Sequence, residues 1–262
     1  MVRHFCLCVC LLLSIASPLA SACDTQLKVI ISPSFGRAFL NGFLSQELEA
    51  LSSATGCQPR VITTNTFADM LRHIKDNVYD VLIVPSMFHP YLSRLNYDWV
   101  VSGFPLLGLI VARSNSSIYI LSDVKGYKVL MNDPLSQAVA NWKLLEEKNG
   151  VAGENTILYA GKTEQLLYQI LDDQADVTFT VSILMDRLSP KFRKKLRIIY
   201  REKNEDPAVI MVNKKLDASV KLKIQNNLAK EDIRWKKREP SIYFIPPEME
   251  SDVQKKLGLG PL

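Results

Sequence analysis

Apolar and polar positions along this chain alternate between two repeating patterns. Leu27 to Ser32 is a short β-branched run that predicts a strand. Phe39, Leu40, Phe43, Leu44, Leu48 and Leu51 then recur at helical spacing, and Gly56 closes the helix. Arg60 to Thr63 predicts a second strand. Phe67, Met70, Leu71, Ile74 and Val78 predict a second helix with one buried face. Asp80 to Val84 carries a continuous apolar run, the pattern of a strand covered on both faces. The order β-α-β-α-β points to right-handed crossovers and a parallel sheet.

The stretch from Val100 to Arg113 is too long for one ordinary strand, and Gly103, Pro105 and Gly108 break it. It reads as a strand that leaves one lobe for another. The alternation then restarts. Strands are predicted at Lys128 to Met131, Thr156 to Tyr159, Asp176 to Val181 and Leu196 to Tyr200. Helices are predicted from Ser136 to Lys148 and from Thr163 to Asp172. Ala208 to Val212 reads as a return strand, followed by a helix marked by Val220, Ile224 and Leu228 and a polar tail helix from about Pro247 to Lys256. An outgoing and a returning strand joining two α/β units predict a hinged, two-lobed molecule. Lobe 1 takes residues 23–110 plus 206–262, and lobe 2 takes residues 111–205. Open parallel sheets receive ligands outside the carboxyl ends of their strands, so both lobes should face one cleft.

The first 22 residues stand apart. One arginine precedes the apolar stretch Phe5 to Ile15, and Ala20-Ser21-Ala22 supplies small residues for cleavage. This is the pattern of a secretory signal peptide, so the mature protein is expected in the periplasm. Cleavage leaves Cys23 and Cys57 as the remaining cysteines. Cys23 has two readings. Ala20-Ser21-Ala22-Cys23 loosely resembles a lipoprotein box, although Ala20 stands where leucine is usual. Alternatively, Cys23 and Cys57 form a disulfide, as pairs of cysteines often do in oxidising compartments. Each lies four residues before an apolar run, at Leu27 and Val61, so parallel neighbouring strands would bring them to one sheet end. That geometry favours the disulfide.

In the full 262 residues, 32 Lys+Arg stand against 27 Asp+Glu, and the net charge of +5 is spread along the chain. No basic block implies nucleic acid. No His/Cys/Asp spacing makes a metal site, and no nucleophile elbow or Walker loop is present. Asp172, Asp173 and Asp176 read as a helix end and turn rather than as paired acids. Neither a cofactor nor an enzymatic activity is expected.

Two segments carry a family resemblance: Leu121-Ser-Asp-Val-Lys-Gly-Tyr-Lys-Val-Leu-Met-Asn-Asp-Pro134 with Ser136 just after, and Glu205-Asp-Pro207 before the return strand. From about Leu27 to Lys230 the chain resembles a type II periplasmic solute-binding protein, nearest to the phosphate/phosphonate-type substrate-binding subunits of ABC transporters. The resemblance implies an α/β, two-lobed fold with parallel-rich sheets flanked by helices and a ligand cleft between the lobes. It implies a small-molecule ligand and, as partner, the membrane permease of an ABC transporter. A separate sensor protein is the alternative partner, and a monomer is expected.

Departures from the family pattern are informative. Ser136 is retained at the helix start, but Gln137 and Ala138 follow it instead of further hydroxyl residues. Phe88 and Phe67 stand where tyrosines are expected. The Lys162-Thr163 region replaces a histidine, and Val181 followed by Ser182 replaces a carboxylate. The cleft has exchanged polar groups for carbon, which suits a ligand that is more apolar and less charged. Residues at the strand ends complete the candidate set: Ser34 and Phe35 after the first strand, Thr66 and Phe67 at the second helix, and Ser86, Met87 and Phe88 after the third strand. Ser136 and Thr66 also suit plain helix capping, and Phe35 suits plain core packing.

Overall fold

The computed structural model describes residues 26–103, 107–150, 154–202, 208–230, 235–237 and 245–260. The signal-peptide segment 1–22, Cys23 and the Glu205-Asp-Pro207 motif lie outside them. The first half runs β1 (Leu27–Ile31), α1 (Arg37–Phe43), α2 (Ser45–Thr55), β2 (Pro59–Thr63), α3 (Phe67–Lys75), β3 (Val81–Pro85), α4 (His89–Leu92) and β4 (Tyr97–Gly103). The second runs β5 (Gly108–Arg113), β6 (Lys128–Met131), α5 (Gln137–Asn149), β7 (Thr156–Tyr159), α6 (Thr163–Leu171), β8 (Val177–Val181), α7 (Ser182–Arg187), α8 (Pro190–Arg193) and β9 (Leu196–Glu202). The chain then returns through β10 (Ala208–Asn213), α9 (Ala218–Leu228), β11 (Trp235–Lys236) and α10 (Pro247–Leu257).

Two sheets result, ordered β11-β4-β10-β3-β1-β2 and β7-β6-β8-β5-β9. The run from Val100 to Arg113 does change sheets: β4 belongs to the first and β5 to the second. Both sheets are mixed rather than parallel-rich. β1 pairs in parallel with β2 and β3, and β6 with β7 and β8. β10, however, inserts antiparallel between β3 and β4, and β5 antiparallel between β8 and β9. The strands linking the halves cause this, because each arrives from the opposite sheet instead of through a helical crossover. The helix predicted from Phe39 to Leu51 is two helices, with the break at Leu44 (φ −106°, ψ 18°). Gly56 ends α2 in the left-handed region (φ 72°), its N–H donating to the Ser52 carbonyl at 2.8 Å.

Strand alternation explains the core. Val29, Ile31, Val81 and Ile83 face α2 and α9, whereas Ile30, Leu82 and Val84 face α3 and α10. In the second sheet Leu109, Val111 and Leu130 pack on α6, and Ile110, Ala112, Val129 and Met131 pack on α5. Phe35 touches both the α2–α9 and the α6 clusters and so bridges the halves.

The halves share one device that the sequence does not show as a repeat. Asp80, just before β3, accepts the Lys28 N–H at 2.8 Å while its own N–H donates to the Lys28 carbonyl at 2.9 Å. Asp176, just before β8, does the same with Lys128, at 2.9 and 3.0 Å. Each carboxylate completes the parallel ladder at the sheet end remote from the strands' carboxyl termini. The Leu27 N–H donates to the Gln58 carbonyl at 3.2 Å, so β1 and β2 start side by side, which is the geometry assumed for a Cys23–Cys57 bridge.

Candidate ligand cleft

Strand ends of both sheets converge on one cavity. Ile31 and Ser32 leave β1, Val84 and Pro85 end β3, Asn132 follows β6, and Thr180 and Val181 end β8. Gly108 opens β5, Glu202 closes β9 and Ala208 opens β10 at the same place. This is where open α/β sheets receive ligands. The centres of water-sized molecules have about 140 Å³ available there, room for several waters or one small organic molecule.

Phe35, Leu40, Phe43, Leu44, Phe179 and Trp235 supply apolar walls. The Trp235 Nε1–H donates to Glu47 Oε1 at 3.1 Å, which fixes the indole. Among the described residues no Lys or Arg lines the cavity, and Glu202 is its sole carboxylate. Burial pushes the Glu202 carboxyl above the ordinary range, and a hydrogen bond from Asn141 opposes the shift. Asn141 Nδ2 donates to Glu202 Oε2 at 2.8 Å, and Gln137 Nε2 donates to Asn141 Oδ1 at 2.9 Å. Gly108 makes room for this carboxylate: a β-carbon there would lie 2.6 Å from Glu202 Oε2 and 2.9 Å from the Phe179 ring.

Hydrogen bonds also cross between the halves. The Thr163 N–H, at the start of α6, donates to the Ser34 carbonyl at 2.8 Å. The Gly36 N–H, before α1, donates to Glu164 Oε1 at 2.6 Å. The Phe67 N–H, opening α3, donates to Asp133 Oδ2 at 3.1 Å, while Asp133 Oδ1 accepts the Leu135 N–H at 2.8 Å. Lys162 Nζ donates to the Pro33 and Thr64 carbonyls at 2.8 and 3.1 Å. The starts of α1, α3 and α6, which would attract an external anion, are therefore met by acceptors from the opposite half. Burial raises the Asp133 carboxyl against the pull of its two N–H donors, and burial lowers the Lys162 ammonium against Glu164 and Asp133.

Of the residues expected at the cleft, Ser34, Phe35, Ser136, Gln137 and Thr163 line the cavity together. Ser136 also caps α5, accepting the Val139 N–H at 3.4 Å. The others lie elsewhere. Thr66 caps α3 through the Asp69 N–H at 3.1 Å. Phe67 and Phe88 are buried with ring centroids 5.7 Å apart, and Met87 joins their core, because the chain after β3 turns inward through a short 3-10 segment. Ser86 is buried beside them. Lys162 links the halves, and Ser182 starts α7. Sequence reasoning missed Glu202, Asn141, Thr180 and Trp235. One available signal was the i, i+4 spacing of Gln137 and Asn141, which puts both amides on one helix face.

The family model described as "ABC transporter, phosphonate, periplasmic substrate-binding protein" matches residues 40–239. The chain belongs to this family. As a substrate-binding protein of the phosphonate type, it comes from a transport family rather than an enzyme family, one that acts outside the cytoplasm on a small-molecule ligand with an ABC permease as partner. Solved structures share its fold. PhnD1 from Prochlorococcus marinus, in complex with methylphosphonate, superposes with a TM-score of 0.71 at 12% identity, covering 88% of this chain and 98% of that one. A binding component of an ABC phosphonate transporter from Pseudomonas aeruginosa gives 0.66 at 16% identity, covering 87% and 78%. A Xanthomonas citri protein bound to ATP gives 0.61 at 16% identity, covering 89% and 96%. No curated protein matches this binding protein in sequence. Among its described residues no helix is long and apolar enough to cross a membrane, and no His/Cys/Asp/Glu group could hold a metal ion.

Proposed function

We propose that this protein captures a small ligand richer in carbon and poorer in negative charge than a phosphonate, and presents it to its permease by closing two lobes. The observation that carries the reading is the aromatic-walled cavity at the strand ends, with no described Lys or Arg in its lining. In this reading lobe 1 takes residues 23–107 plus 206–262 and lobe 2 takes 108–205, a division supported by β5 belonging to the second sheet. The site comprises Ser34, Phe35, Ser136, Gln137 and Thr163 with Glu202, Asn141 and Thr180. Residues 1–22 direct export and are removed, and the mature protein is a periplasmic monomer closed at its N-terminus by a Cys23–Cys57 disulfide.

Mass spectrometry of small molecules released from the protein purified from its host tests the ligand class. Calorimetry with phosphate and methylphosphonate against a host lipid extract gives the complementary measurement. Heat from the extract and none from the anions is expected; tight methylphosphonate binding overturns the reading. Intact mass before and after reduction tests the bridge, which predicts a gain of two hydrogen atoms.

A further inference from the structure

The polar atoms of the cavity are one-sided. A carboxylate accepts hydrogen bonds and donates none. Asn141 must therefore turn its NH2 toward Glu202, and its carbonyl oxygen takes the NH2 of Gln137. That leaves Gln137 Oε1 buried without a partner. Glu202 thus imposes its polarity, through two amides, on the start of α5. On the facing strand, Thr180 is 0% exposed and its hydroxyl also lacks a partner. Both atoms are sealed from the cavity, so the charge that a ligand meets there is the half-buried Glu202 carboxylate.

From this arrangement we infer that the ligand carries a cationic nitrogen head, a primary ammonium, which donates to Glu202 while its apolar body lies against Phe35, Phe43, Phe179 and Trp235. The inference rests on the cleft being the solute site proposed above. An ammonium offers donors and a positive charge, matching a carboxylate that only accepts. The aromatic walls favour the same charge through their ring faces. An anionic head would instead meet the Glu202 carboxylate, with no cation among the described lining residues. Lys162 does not relieve it, because its ammonium is held by the Pro33 and Thr64 carbonyls. The raised pKa of Glu202 agrees, since a buried carboxylate with no counter-charge among the described lining residues is what an ammonium completes.

Calorimetry with 2-phenylethylamine, its neutral analogue 2-phenylethanol, and benzylphosphonate, one methylene shorter, tests the head group on phenylalkyl bodies. The amine should bind the wild-type protein about tenfold or more tighter than the alcohol, and benzylphosphonate should be weakest. Glu202→Gln should erase the amine's advantage and leave the alcohol within about threefold. Glu202→Ala serves as a second variant should the first fail to fold, with the same selective loss expected. If benzylphosphonate binds tightest, or if both variants weaken amine and alcohol equally, the ammonium assignment is wrong. Alcohol binding with no preference for the amine defeats the head group but leaves the solute cleft standing. Silence from all three probes defeats both.

Discussion

Glu202 and Asp133 show how the same residue type takes opposite burdens in one cleft. Burial raises the Glu202 pKa above its usual value with only Asn141 to oppose it. The folded state then binds a proton more readily than the unfolded chain, so the ionised group detracts from stability above its folded value, and the penalty fades as pH falls toward 4.5. Glu202→Gln should accordingly raise the melting temperature at pH 7, with the gain shrinking as the scan is repeated at lower pH. Asp133 is also raised by burial, but it satisfies the Phe67 and Leu135 N–H groups, one in each half. Asp133→Ala orphans both donors and should cost about 2–4 kcal/mol in urea unfolding. Legibility in the sequence follows this contrast. Ser34, Phe35, Ser136, Gln137 and Thr163 were reachable because strand-end position alone predicts the cleft. Glu202 was not, because strand β9 was expected to stop at Tyr200, which put Glu202 in a solvated connector. Thr180 was hidden inside an apolar strand run, where a hydroxyl gives no pattern.

Local periodicity gave most strands and helices to within a residue or two, since alternation and i, i+4 spacing are properties of the chain itself. Pairing partners are not. The antiparallel insertion of β10 and β5 depends on contacts more than a hundred residues apart for β10, and no local spacing encodes it. The short α4 and α7 were missed for another reason, being too brief to show a period. Helix α5 tests how far capping and site can be separated. Ser136 both lines the cavity and accepts the Val139 N–H, so Ser136→Ala should cost about 1 kcal/mol in chemical unfolding. If capping is its main role, ligand affinity should change less than about threefold in the same variant.

At the scale of the whole molecule, the halves are tied by groups that belong to the chain. Lys162 and Glu164, adjacent to the start of α6, reach the Pro33, Thr64 and Gly36 backbone across the cleft. A binding protein whose closed form is held partly by its own side chains starts with a smaller gap for the ligand to bridge. The pair Lys162→Met with Glu164→Ala should therefore open the unliganded protein, seen as a larger radius of gyration by solution scattering, and should weaken every ligand by a similar factor. An unchanged radius would show that these bonds do not set the resting angle.

Position 108 links the strand that enters the second sheet to the carboxylate that faces the cavity. A methyl group added there meets the tip of Glu202, which can swing aside, and the rim of Phe179. The backbone tolerates the change while the charge is evicted from its seat. In a saturation library sorted once for expression and once for capture, residue 108 should tolerate alanine in the first sort and accept only glycine in the second, unless position 202 is shortened to aspartate in the same clone. Such a paired rescue would let evolution, natural or directed, retune what this cleft holds by editing two codons that lie almost a hundred apart.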